Sequence, residues 1–306
     1  MATPQPLKPQ ATAITAALSF ITTHSRSSGD KPYEIIGVPE SEVPPHLKTN
    51  IVYETQDSVQ VTDLRSVQPQ PTLEGEGFTW IHHRSKHVSE PHVFHDVDLD
   101  NGIVELYLQE TIEMVKKKTG AKDVFVYDWR YRKNGTVYKT GDPDTDPRTS
   151  RYFVYAPIGN VHTDYSYDGG THRLKLHLSK EEQAEIKSKG SNVLMLNVWR
   201  PLVPVENAPL AVCDRRSVLP EDVVLVDKVL PNNVEEETCI IPKDYHKWYY
   251  ISSQQPDEVL LFIQWEDDGT NSQTLSVSHG ALAGVATNTG PTPRESVENS
   301  QDLSKL

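Results

Sequence analysis

Residues 246–265 read HKWYYISSQQPDEVLLFIQW. Two runs rich in β-branched and aromatic residues, 246–252 and 259–265, flank a polar stretch broken by Pro256, the pattern of short strands separated by a turn. The same pattern recurs upstream at 124–131, 152–155, 193–199 and 223–229, and downstream at 275–279. Residues 51–64 alternate in a strand-like way, and residues 11–22 fit a strand or a helix. Many short strands separated by turns predict a sandwich or barrel, and a double-sheet jelly roll manages its edges with about eight of them. Two helices flank this body. Residues 101–119 place Ile103, Leu106, Tyr107, Ile112 and Val115 near one stripe, carry acids early and Lys116, Lys117 and Lys118 late, and stop at Gly120. Ser179 with Glu182 is a capping box for a second helix that ends at Gly190. The expected class is mainly β (α+β), a jelly roll with flanking helices.

A chain of 306 residues with 36% hydrophobic and 24% charged residues is long and apolar enough to bury a core. The ends, residues 1–10 and 299–306, are polar and aperiodic and predict a disordered N-terminus and a flexible tail. Between them, 11–298 reads as one domain with its jelly-roll core at about 120–296. The longest apolar runs, 223–226 and 259–263, fall far short of the ~18–20 residues that cross a bilayer, so no membrane partner is expected. Acidic residues outnumber basic ones 43 to 30, giving a net charge of −13, which argues against a nucleic-acid partner. Cys213 and Cys239 cannot form a disulfide framework and read as two buried thiols. The N-terminus lacks the order of a secretory signal. The expectation is a cytoplasmic protein, monomer or homodimer, acting on a small molecule.

The sharpest local feature is Val161-His162-Thr163-Asp164-Tyr165, between a strand and a turn at 168–170. In an extended segment residues two apart share a face, so His162 and Asp164 can present an imidazole nitrogen and a carboxylate oxygen to one metal ion. A third ligand must come from elsewhere, and His279 stands at the end of a late strand. Two histidines and one carboxylate on one face of an octahedron leave positions open, as in non-haem Fe(II) oxygenases. Beyond His279, Arg294-Glu295-Ser296 supplies a guanidinium and a hydroxyl. An Arg fork binds carboxylates bidentately, and 2-oxoglutarate has a distal carboxylate that needs such an anchor.

The segments VTDLRSVQPQPTLEGEGF (61–78), YLQETIEMVKKKTGAKDVFVYDWRYRK (107–133), VHTDYS (161–166), LNVWRPL (196–202), PLAVCDRRSV (209–218), HKWYYISSQQPDEVLLFIQWED (246–267), SHGAL (278–282) and PRESVE (293–298) resemble the gibberellin-desaturase and aspergillic-acid hydroxylase/desaturase family. These are largely fungal enzymes of secondary metabolism, and the resemblance covers about residues 50–298. It implies a double-stranded β-helix using Fe(II), 2-oxoglutarate and O2. The substrate would be a small secondary metabolite or amino-acid-derived molecule, to be hydroxylated, desaturated or oxidatively cyclised. Position by position, His162, Asp164 and His279 resemble the metal ligands, Arg294 the cosubstrate anchor, and Ser296 a weaker match beside it. Asp164 argues against halogenation, where a halide takes the place of the carboxylate. The chain carries Ser278, Gly280 and Leu282 where the family prefers Pro-His-Thr-Ala-Phe around the distal histidine, a departure bearing on cosubstrate or substrate packing more than on metal binding.

Alternatives remain at this level: a redox-silent metal hydrolase or isomerase, an iron oxidase of the same fold that ignores 2-oxoglutarate, or a non-catalytic jelly-roll partner of a biosynthetic enzyme. Tyr165, Asn197 and Arg200 are substrate candidates, with Arg151 also near the proposed iron. Against this, Trp199 can pack in the core and Arg200 can pair with an acid such as Asp214. Trp248, Tyr249 and Tyr250 read as core. His82, His83, His87, His92 and His95 crowd a polar segment with Pro91 that reads as a loop able to cover the β body rather than a zinc site.

Overall fold

Residues 192–201, NVLMLNVWRP, are buried along almost their whole length, which requires protein on both faces and explains why apolar residues run consecutively there instead of alternating. The computed structural model describes residues 12–23, 29–38, 41–88, 94, 102–135, 154–189, 192–267, 275–283 and 293–305. Its elements in chain order are β1 (Ala13–Ile21), β2 (Tyr33–Ile35), β3 (Tyr53–Asp63), β4 (Phe78–His82), α1 (Ile103–Thr119), β5 (Asp123–Lys133), β6 (Val154–Tyr155), α2 (Tyr167–His177), α3 (Lys180–Lys189), β7 (Asn192–Pro201), β8 (Leu210–Cys213), β9 (Val223–Val229), β10 (Val234–Ile240), β11 (Trp248–Tyr250), β12 (Glu258–Asp267), β13 (His279–Ala281) and β14 (Glu295–Lys305).

One sheet has the order β4-β12-β7-β14-β5-β6, a second β1-β3-β11-β8-β13, and a small third β10-β9-β2. The two large sheets meet through Phe78, Trp199, Leu260 and Phe262 of the first and Leu210 and Val212 of the second. The alternate residues of β7 and β12, Leu194, Leu196, Val198, Val259, Leu261 and Ile263, point the other way and are covered by Met114 and Val115 of α1. This is a double-stranded β-helix, a jelly roll, with helices packed outside it.

Several sequence expectations shift. The apolar stripe of α1 is Val104, Tyr107, Thr111, Met114 and Val115, while Leu106 is 52% exposed; the threonine buries its hydroxyl by donating to the Tyr107 carbonyl, so an apolar-only count set the stripe one position off. Residues 168–170 form the first turn of α2, capped by Ser166, whose hydroxyl accepts the Gly169 N–H at 2.9 Å. The glycines there serve close packing: a Cβ on Gly170 would run into the Trp265 indole and one on Gly169 into the Glu236 carbonyl. Residues 299–305 belong to β14, paired on both sides with β5 and β7, not to a flexible tail. The main sheets reach back to residue 13 through β1 and β3, ahead of the expected core at 120–296. Of the expected strand at 275–279 only His279 lies in one, β13. The Ser179 capping box forms as expected, with reciprocal bonds to Glu182. Among the described residues no helix is long and apolar enough to cross a membrane.

The turn leading into β9 is tied down by a single carboxylate. Asp222, fully buried, accepts the Leu219 N–H at 3.0 Å, the Tyr245 phenol at 2.8 Å and the His246 Nε2–H at 3.0 Å. Burial alone would raise its pKa, but these donors hold it below the ordinary carboxyl value. A depressed carboxyl stabilises the fold fully above the unfolded value near 3.9 and loses that contribution as pH falls through its own lower pKa. We therefore expect Asp222→Asn to cost about 2 kcal/mol in urea unfolding at pH 7, with the gap to the parent narrowing below about pH 4; a gap independent of pH would contradict this account.

Candidate metal centre

Residues 160–163 cross the open end between three strands. Val161 N–H donates to Ser19 of β1 at 2.8 Å, and Thr163 N–H donates to Thr238 of β10 at 2.8 Å. Between them His162 and His279 exchange both backbone bonds, at 3.0 and 2.8 Å. Residues paired in this way carry their side chains on one face, and the two imidazole centroids stand 4.4 Å apart. The Phe262 ring of β12 packs against the His279 ring with centroids 4.8 Å apart.

Each imidazole is oriented by its own backbone. Nδ1 of His162 donates to the Asn160 carbonyl at 2.8 Å, and Nδ1 of His279 to the Val277 carbonyl at 3.2 Å. That leaves each Nε2 with its lone pair directed outward, the tautomer a metal ligand requires. Oδ1 of Asp164 lies 3.6 Å from His162 Nε2, and one ligand atom from each of the three residues falls within 4.8 Å of the others. Three ligands on one face of an octahedron are mutually cis and stand roughly 3 Å apart for bonds of about 2.1 Å, so these atoms must draw in by about an ångström or more to hold one first-row ion.

The charges are consistent with this donor set. Burial would raise the Asp164 carboxyl, but the His162 imidazole, His279 and an Asn197 amide bond hold it well below the usual range. Burial pushes His279 down to about 4, and the neighbouring His162 imidazole acts in the same direction. His162 is raised: the Asp164 carboxylate, with Glu237 behind it, outweighs burial.

Gln264 was not foreseen. β12 carries a bulge between Ile263 and Trp265, which inserts Gln264 as an extra residue and turns its side chain toward the site. Its Oε1 accepts the Asp164 N–H at 2.7 Å and its Nε2 reaches toward the Val277 carbonyl at 3.5 Å, so one buried amide links both ligand-bearing segments. A lone glutamine inside an otherwise apolar run, VLLFIQW, was the available signal.

Arg294 is 2% exposed, donates through Nη1 to the Ala208 carbonyl at 2.6 Å, and lies 5.5 Å over the Trp199 ring. Burial and the nearby Arg132 charge lower its pKa to about 9. Its Nε and the Ser296 hydroxyl are buried without a partner among the described residues. Orphaned donors at such depth call for an acceptor, and a carboxylate of 2-oxoglutarate would satisfy both.

The substrate candidates divide. Asn197 reaches the site, donating to Asp164 at 2.6 Å. Arg200 does not: it lies on the opposite face of β7 over Tyr107, with Nη1 on the His83 and Pro256 carbonyls and Nη2 on His83 Nδ1. Neither does it meet Asp214, which binds Arg216. Tyr165 lines a cavity of about 220 Å³ with Arg173 of α2 and Glu235 of β10, which none of His162, Asp164 and His279 borders. Trp199, Trp248 and Tyr250 are core residues, and both cysteines are free and buried. Leu282, one of the departures around His279, packs with Phe20 and Val61. Of the histidine-rich segment His82, His83 and His87 are described, and His83 supports Arg200; His92, His95 and Arg151 lie outside the described residues.

A jelly roll that gathers two imidazoles and one carboxylate, and buries over the Trp199 ring a guanidinium whose Nε lacks an acceptor among the described residues, has the build of a non-haem iron oxygenase. Residues 18–300 match the model of the oxidoreductase/YMDC permease-like domain family. The chain is 32% identical to the hydroxylase/desaturase CTB9 of Cercospora beticola, over 71% of this chain and 68% of that protein. It is 27% identical to the gibberellin cluster GA4 desaturase of Gibberella fujikuroi, over 71% and 78%. Among solved structures, the iron and alpha-ketoglutarate-dependent endoperoxidase NvfI superposes with a TM-score of 0.76 at 22% identity, over 95% of this chain and 98% of that one. The chain belongs to this oxidoreductase family, the hydroxylase/desaturase group of iron- and 2-oxoglutarate-dependent oxygenases that its segments resemble.

Replacing Gln264 with Leu leaves the Asp164 N–H without its acceptor. We expect a loss of about 2 kcal/mol in unfolding free energy and faster amide exchange at Asp164; unchanged exchange there would show that Gln264 does not hold the segment.

Proposed function

We propose that this protein uses Fe(II), 2-oxoglutarate and O2 to oxidise an unactivated C–H bond of a small secondary metabolite or amino-acid-derived molecule, by hydroxylation, desaturation or cyclisation. The observation that carries this reading is the coexistence of the His162, Asp164 and His279 donor set with a buried Arg294 that lacks a carboxylate partner among the described residues.

In this reading His162, Asp164 and His279 hold the metal. Arg294 receives the distal carboxylate of 2-oxoglutarate, with Ser296 donating from the same strand. When bound, iron and cosubstrate together supply the oxidising power by coupling O2 reduction to oxidative decarboxylation of 2-oxoglutarate. The chain's own task is orientation and dryness: Phe262 and Trp199 wall the site with rings, and a water-poor enclosure strengthens the Arg294 contact. Tyr165 is not part of this substrate reading, because the cavity it lines is not bordered by any of the three ligands. We place the protein in the cytoplasm as a monomer or homodimer without a nucleic-acid partner, as its net charge of −13 and free thiols favour.

The test is succinate formation from 2-oxoglutarate by purified protein with Fe(II) and O2. We expect His162→Ala and Asp164→Ala to abolish it with the circular dichroism spectrum unchanged; undiminished succinate would refute the reading. Arg294→Ala should raise the KM for 2-oxoglutarate by about 30-fold or more, as expected when one partner of a buried charge pair is removed. Arg294→Lys should restore little, since an ammonium cannot make the two-pronged contact.

A further inference from the structure

Asn197 stands in the middle of β7, opposite Phe262 of β12 and Ser300 of β14, and is 1% exposed. Its Nδ2 donates one hydrogen to Asp164 Oδ2 at 2.6 Å and the other to Glu298 Oε1 at 2.8 Å. Its Oδ1 accepts from the Ser300 hydroxyl at 3.0 Å. These partners settle which way round the amide lies, because the two carboxylates can only accept and the hydroxyl is placed to donate. Glu298 is held in turn by Arg132 Nε at 3.1 Å, and Arg132 Nη1 donates to the Ala156 carbonyl at 3.2 Å. A line of hydrogen bonds thus runs from the backbone of residue 156 to the outer oxygen of Asp164.

The two oxygens of Asp164 therefore have different neighbours. Oδ1 faces the His162 Nε2, and Oδ2 is tied to Asn197. A carboxylate with one oxygen bound to a buried amide donor offers a cation only the other, unless it gives up that bond in a medium where an unmade hydrogen bond is costly. The same amide separates Asp164 from Glu298, which would otherwise confront each other as like charges. Nothing in this arrangement leaves the Asn197 amide free for a substrate.

We propose that Asn197 is a positioning residue that restricts Asp164 to one-oxygen coordination of the metal, with Ser300 and Glu298 fixing the orientation of its amide. This rests on the metal-centre reading above. Holding the carboxylate in this way keeps a coordination position open that a two-oxygen grip would occupy.

The test is titration of the metal-free protein with Co(II), followed by its visible absorption, alongside thermal melting and the KM for 2-oxoglutarate of the Fe(II)-loaded protein. Asn197→Ala should weaken Co(II) binding by about 10- to 100-fold, the usual effect of losing a partner that orients a ligand, and shift the absorption bands. Asn197→Leu has nearly the same shape and no donor, so it should lose at least as much. Wild-type Co(II) affinity in the Leu variant, or unchanged affinity in both with only KM altered, would overturn the proposal in favour of packing or substrate contact. If melting shows that neither folds, Ser300→Ala decides: Co(II) binding weakened by roughly threefold supports the proposal, and unchanged binding overturns it. Failure of the wild type to bind Co(II) would instead overturn the metal-centre reading, and this inference with it.

Discussion

The reciprocal backbone bonds between His162 and His279 are the constraint on which the rest of the site depends. They make two residues from distant parts of the chain into a sheet pair, so the separation of the imidazoles is set by strand geometry rather than by anything they bind. The carbonyls of Asn160 and Val277 then fix each ring from its own strand. Every further support, the Thr163–Thr238 tie, the Phe262 ring and the Gln264 amide, acts on that pair or on the residues beside it. A donor set organised in this way is held by the cooperative stability of the jelly roll, and the cost of gathering like groups is met by folding before any ligand arrives.

What could be read from sequence was whatever is local or periodic. The spacing of His162 and Asp164 places both on one face of an extended segment. Long apolar runs such as 193–199 announce strands covered on both sides, and the Ser179–Glu182 box announces a helix start. The helix at 167–177 was hidden because Gly169 and Gly170, which ordinarily mark a turn, are required there by the Trp265 indole and the β10 backbone, contacts invisible in one dimension. Arg200 was misplaced for a related reason. Its neighbour Trp199 faces the core between the sheets, so Arg200, one position along a strand, must face the other way, toward Tyr107. Once the inward face of β7 is known the error corrects itself, but a strand buried on both sides does not reveal from its sequence which face is inward.

β14 shows the limit of hydrophobic alternation most clearly. ESVENSQDLSK has almost no apolar residue, yet it pairs on both sides along its length inside the main sheet. The rule that strands alternate apolar and polar assumes that the inner face meets a hydrophobic core. Here the inner face carries Ser296, Glu298 and Ser300 toward the candidate metal centre and the buried Arg294 instead. Ser296 lies buried beside Arg294, while Glu298 and Ser300 grip Asn197. The outer face is mixed, with Val297 packed among Tyr107, Trp129 and Tyr131 and Asn299 bonding the Tyr107 phenol. Such a strand cannot be held by the hydrophobic effect on its own account; it is held by two full ladders of backbone bonds, with apolar neighbours in β7 supplying the burial. The residues that best equip this jelly roll for chemistry are therefore those that make its last strand look like a loose tail. In a chain that builds a polar site inside a sandwich, an aperiodic terminal segment is for that reason a candidate for the catalytic wall rather than for disorder.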